Sequence, residues 1–161
     1  MKTNKYDLME MARLGVLFLP GDLLEDIMPP ERKEYPLRVV GSDSDFALTD
    51  EIDFVEHNFN ALKRVLLLTE RIDPDRSPYA ALWIRRPENP ALCEMMIAGS
   101  ALPSEGVHIQ EPWPELERAF GGLPTRLNRE RGQTVYYPVR NSDEEIVGVF
   151  ELTEDVPPMF I

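Results

Sequence analysis

Two β-rich runs flank Asn141, Ser142 and Asp143 near the end of the chain, and no other stretch limits the fold as much. The short side chains of these three residues hydrogen-bond their own backbone and favour a turn. Residues 133–140 form the first run. In the second, residues 146–152 alternate in part, with Ile146, Gly148, Phe150 and Leu152 on one face and Val147 and Val149 on the other. The pattern predicts an antiparallel hairpin turning over residues 141–144.

A hairpin needs a core to cover it, and 161 residues are enough for one domain with its own core. The composition, 43% hydrophobic and 29% charged, is that of a globular protein and argues against global disorder. The single cysteine, Cys93, excludes an intramolecular disulfide and fits a reducing compartment. No apolar segment follows the first residues, and the longest apolar runs, 16–19 and 65–68, are too short to span a bilayer. A cytoplasmic protein without a membrane partner is the expectation.

The net charge of −12 comes from two places. Residues 43–56 carry Asp43, Asp45, Asp50, Glu51, Asp53 and Glu56 without a Lys or Arg, and residues 141–161 carry six further acids, again without a base. Nucleic-acid affinity comes mainly from neutralising phosphates, so this balance disfavours a nucleic-acid partner. A basic protein partner stays open beside a plain solubilising surface.

Along the chain, residues 4–14 read as a short helix stopped by Gly15, and Asp22 reads as the cap of a second turn over 23–28. Residues 37–40 and 46–48 read as a first hairpin. Thr49 or Asp50 starts the strongest helix, with Ile52, Val55, Phe59, Leu62 and Leu66 on one stripe and Lys63, Arg64 and Arg71 complementing its C-terminal dipole. Ser77 before Pro78 and Asn89 before Pro90 predict short helices over 78–85 and 90–98. A strand pair competes there, because residues 82–84 and 95–97 are good strand material. Residues 107–109 suggest a short strand, 113–120 a helix, and 123–131 an approach to the sheet. Strands at both ends with helices between them give an α+β fold built on one antiparallel sheet with a central helical block.

The run Tyr137, Pro138, Val139, Arg140, Asn141, then Ile146, Val147, Gly148, Val149, and the closing Glu154, Asp155, Val156 resembles the last strand pair of a PAS domain. That resemblance implies two strands, several helices, then three strands in one sheet. It implies a N-terminal helical segment over 1–35, the PAS-like domain over 36–156 and a tail over 157–161. It also implies a ligand cavity enclosed by the central helices and the sheet, which Trp83, Met95, Met96, His108 and Trp113 would line. Core packing without any ligand is the competing role for the Met and Trp residues.

No catalytic signature accompanies these features. Asp43 and Asp45 open like a calcium loop, but Leu48 and Phe54 stand where such a loop needs Gly and Glu. His57 and His108 have no metal-like spacing to each other or to Cys93, so no metal site is expected. Ser100 lacks a nucleophile elbow, and no phosphate-binding glycine loop occurs. No cofactor is named by these residues. The expectation is a non-catalytic sensory or protein-interaction module signalling through a partner or a dimer, since little chain lies outside the domain for an attached output. The alternative is an acidic antagonist (an immunity protein, antitoxin or phage-encoded inhibitor) that masks a basic surface. Two surfaces follow from these readings. Asp43, Asp45, Asp143, Glu144 and Glu145 would converge as one acidic patch, and the apolar residues Leu8, Met9, Met11, Leu14 and 16–19 would either build a homodimer or pack on their own core.

Overall fold

Asp7 opens the first helix: its carboxylate accepts from the Met9 N–H at 2.8 Å, and α1 runs Leu8–Leu17. The computed structural model describes residues 6–26, 50–86, 89–100 and 109–155. Helix α1 passes straight through Gly15, which is no stop. A Cβ there would collide with the Thr69 side chain, so this glycine lets two helices approach closely. Helix α2, Gly21–Asp26, starts before Asp22 rather than after it. The Asp22 carboxylate instead accepts from the Ser142 N–H at 3.0 Å and is 3.2 Å from the Ser142 hydroxyl that donates to it. The hairpin expected over 37–48 lies outside the described residues.

Helix α3, Asp50–Thr69, buries Phe59, Leu62 and Leu66 of the expected stripe, and the side chains of Ile52 and Val55 lie outside the described residues. Lys63 departs from its assigned role. It shares a helix face with Phe59 and Leu66, lies buried, and donates from Nζ to the Ala98 carbonyl at 2.5 Å. Beyond the helix, the buried Glu70 carboxylate accepts from the Ala80 N–H at 2.8 Å and the Ser100 N–H at 3.0 Å, which ties the end of α3 to the sheet.

Strands β1, Tyr79–Arg86, and β2, Asn89–Ala98, replace the two helices that the proline signals predicted. Their pairing buries almost all of β1, and an Arg86–Glu94 ion pair of 2.7 Å joins them at the turn end. A two-residue strand, β3 (Ile109–Gln110), adds to the far side of β2. Helix α4, Pro114–Phe120, forms where expected with proline at its start. Then come β4 (Thr125–Arg129), β5 (Gly132–Arg140) and β6 (Ile146–Asp155).

All six strands make one antiparallel sheet in the order β3-β2-β1-β6-β5-β4, so the fold is α+β on a single sheet. Three strands, one helix and three strands follow one another among the described residues, whereas the PAS resemblance implies two strands, several helices and then three strands. Most of the helix content precedes the sheet, and α4 alone stands between β3 and β4 among the described residues.

The terminal hairpin turns where the sequence places it. Asn141 Oδ1 accepts from the Asp143 and Glu145 N–H groups, both at 2.9 Å, and Glu144 takes a left-handed φ of 63°. One expectation fails inside it. Val139 pairs with Gly148 while Arg140 pairs with Ile146, so β6 carries one extra residue. This bulge resets the alternation. Val147 packs toward the core that holds Phe150, whereas Val149 faces the other side of the sheet.

The sheet separates two cores. Leu82, Ile84, Met96, Phe150 and Leu152 meet Leu8, Met11, Leu24, Leu62 and Leu66 of the first three helices. Each large side chain buried there stabilises the fold by about 1.5–3 kcal/mol. On the opposite face Trp83, Cys93, Tyr136 and Val149 meet Leu116, Ala119 and Phe120 of α4. The first face is aliphatic and the second aromatic.

Candidate functional site

The aromatic face is the candidate site, and cross-strand pairing builds it. Trp83 on β1 stands opposite Val149, Ala81 opposite Glu151, and Tyr136 on β5 opposite the same Glu151 from the other side. Residues paired across strands share a face. Trp113, just before α4, closes over them. Its ring meets Trp83 edge-on at 5.3 Å and Tyr136 at 6.0 Å. The Trp113 Nε1–H donates to Tyr136 Oη at 3.0 Å. Arg85 fixes α4 on this face: its guanidinium pairs with Glu117 at 2.7 Å and lies 4.5 Å above the Phe120 ring.

Among these rings sits Glu151, buried in the sheet. Trp83 Nε1–H donates to its Oε1 at 3.0 Å, and the Thr153 hydroxyl donates to its Oε2 at 3.2 Å. Thr134 and Thr153 hydroxyls are 3.0 Å apart, which extends the polar line along the strands. Burial raises the Glu151 pKa, because removing a carboxylate from water disfavours its charge; the Trp83 and Thr153 hydrogen bonds and the Arg129 charge oppose that only in part. Burial also raises the Tyr136 phenol, and the neighbouring Glu151 adds to the effect. The Cys93 thiol is pushed up to about 11 by burial, so it stays protonated and packs as a small core residue. A buried carboxyl fixed by an indole N–H and a hydroxyl is held in one orientation, which suits it to orient a small molecule bound against the rings.

Of the residues selected from sequence, Trp83, Met95 and Trp113 do come together here. Met95 and Trp113 are half-buried and form the rim. Met96 does not join them. The pairing of β1 with β2 shifts between Leu82 and Trp83, and Met96 turns into the aliphatic core on the other face. His108 lies outside the described residues, and His57 is exposed. No motif in the sequence singles out Glu151 or Tyr136, and Glu151 is one of the six acids of residues 141–161. Strand parity was the available signal: Glu151 lies two residues from Val149 and two from Thr153, so a sheet covered on both faces must turn it inward.

The acidic residues divide. Asp143, Glu144 and Glu145 are exposed on the β5–β6 turn, and Asp43 and Asp45 lie outside the described residues. The turn meets α2 instead, where Asn141 Nδ2–H donates to Glu25 at 2.9 Å. Among the described residues, no cluster of His, Cys, Asp and Glu is placed to hold a metal ion, and no helix is long and apolar enough to cross a membrane.

No protein-family model and no curated protein matches the chain. Among solved structures, the chain is similar to the crystal structure of the A. aeolicus nlh2 GAF domain in an inactive state. The similarity covers 92% of this chain and 85% of the other, at 12% identity and a TM-score of 0.43.

Proposed function

We propose that this chain is a non-catalytic sensory module that binds a small, largely apolar molecule on its aromatic face and passes the signal to a protein partner. The observation that carries the reading is the buried Glu151, held by Trp83 and Thr153 among rings. Burying a carboxyl is unfavourable, and a purely structural face would be more stable with an apolar residue there. Its position beside Trp83 and Tyr136 fits a group whose remaining lone pairs a ligand would engage. Trp83, Trp113, Met95 and Tyr136 then supply the apolar walls, and Glu151 sets the orientation.

Native mass spectrometry of the purified protein tests this directly, with tryptophan emission as a second readout. The chain has two tryptophans, Trp83 and Trp113, and both lie on this face. A retained small mass in the wild type that is diminished in Glu151→Gln is the expected result. A bare chain mass in both proteins, with emission unmoved by the low-molecular-weight fraction of a cell extract, would exclude the sensory reading.

A specific observation also favours the acidic antagonist as a second reading. Asp22 and Glu25 join Asp143, Glu144 and Glu145 at one end of the molecule, which concentrates negative charge where a basic target surface would meet it.

A further inference from the structure

We infer that the hollow between the end of α1, the α4–β4 link and the end of β5 is a docking site for a basic amphipathic helix of a protein partner. The large hydrophobic side chains left most exposed among the described residues are Leu17 at 66%, Phe18 at 75%, Leu68 at 68% and Leu123 at 59%. One exposed leucine is ordinary; a group gathered at one place marks an interaction surface. Leu17 borders a hollow of about 480 Å3 with Leu19, Pro124, Tyr137, Pro138 and Arg140, and Leu123 is next to Pro124 in the chain. Phe18 and Leu68 border a second hollow of about 300 Å3 against Gly15, Val65 and Ile72. The residues 17–18 therefore form a ridge between two depressions, the smaller apolar and the larger of mixed lining. The ridge is not a frayed end, since the Phe18 N–H donates to Gly15 O and the Leu19 N–H to Val16 O, both at 3.1 Å.

Charge selects the occupant. Arg140 ends the larger hollow, and the turn that follows it carries exposed Asp143, Glu144 and Glu145, with exposed Asp22 and Glu25 of α2 bonded alongside. Arg140 itself is engaged, donating to the Glu144 carbonyl at 2.9 Å. A partner that fills the hollow and extends past Arg140 reaches these five carboxylates, so a basic flank is attracted and an acidic one repelled. The same rim argues against a second copy of this chain, because a two-fold contact sets a patch against itself and would bring like charges together. The shape selects a helix. Strand β5 is paired on both sides by β4 and β6, so no free ladder exists at this site for an added strand. A helix with apolar residues three and four apart can seat its stripe over the ridge.

This inference rests on the proposed transmission through a partner, and a peptide assay separates the two. A labelled helical peptide with leucines at three- and four-residue spacing and lysines elsewhere is compared with its glutamate counterpart, by fluorescence anisotropy at low and high salt. The lysine peptide should bind, the glutamate peptide should not, and added salt should weaken the complex. Leu17→Ser with Phe18→Ser should weaken it by about tenfold or more, as loss of a hot spot does. Reversing Asp143, Glu144 and Glu145 to lysine should slow its association while the far-UV spectrum and thermal midpoint stay those of the wild type. Peptide binding by a wild-type protein that retains no ligand would keep this site and remove the sensory reading. Equal binding of both peptides, or of neither, overturns the inference. So does a concentration-dependent dimer in sedimentation that the Leu17→Ser, Phe18→Ser protein lacks, since the occupant would then be a second copy.

Discussion

Glu151 and Phe150 are adjacent in β6 and face opposite cores, so two substitutions one residue apart should fail in different ways. Burial raises the Glu151 pKa in the fold, which means the folded state holds its proton more tightly than the unfolded chain does. The stability this contributes is complete below the ordinary glutamate value of about 4.3 and is lost as pH rises through the raised value. Glu151→Gln keeps the shape and the hydrogen-bonding ends without the charge. It should therefore match the wild type near about pH 4 and exceed it increasingly toward about pH 8 in urea unfolding. A constant difference across that range would place Glu151 in contact with water. Phe150→Ala empties a site in the aliphatic core and should destabilise by roughly 3–5 kcal/mol at any pH. An unchanged denaturation midpoint would contradict its burial. Phe150 was legible from alternation alone, because aromatic residues in a strand rarely face water. Glu151 was not, because a carboxylate carries a strong prior for the surface that only the second covered face overrides.

At the scale of elements, α1 is part of the core and not an appendage. Leu8, Met11 and Ala12 are buried against the sheet, and Gly15 lies on α3. Removing residues 1–19 should abolish folding, seen as loss of the far-UV spectrum, and Met11→Ala should cost about 2–5 kcal/mol in an equilibrium titration. A folded truncated protein would instead show the sheet and α3 to be sufficient alone. The helix was misplaced in the sequence because Gly15 signals a stop by itself, and its use as a close contact depends on Thr69, far along the chain. Residues 79–98 misled for a related reason. Pro78 and Pro90 look like helix starts, yet Pro90 lies in the exposed beginning of β2, and β1 is buried on both faces. A strand covered on both sides loses its two-residue period, so apolar residues there match either structure. The β5–β6 turn was readable because Asn141 forms it with its own backbone neighbours.

For the whole molecule, both cores hang on one sheet, so neither face can lose its support without the other. Tryptophan emission reports only the aromatic face, whereas far-UV dichroism reports every helix and strand. The two signals should follow one coincident urea transition, and a separate early loss of emission would reveal an independently opening aromatic face. The same open sheet has an outermost strand in β4, and its far side pairs with no other strand among the described residues. Unpaired edges invite chains to stack on one another without limit. Arg126 and Arg129 stand three residues apart on that strand, both exposed, and pair with Asp7 and Asp155, so the strand carries charged groups along its length. A neighbouring copy approaching edge to edge would have to take these charged pairs out of water, which disfavours stacking of one copy on the next.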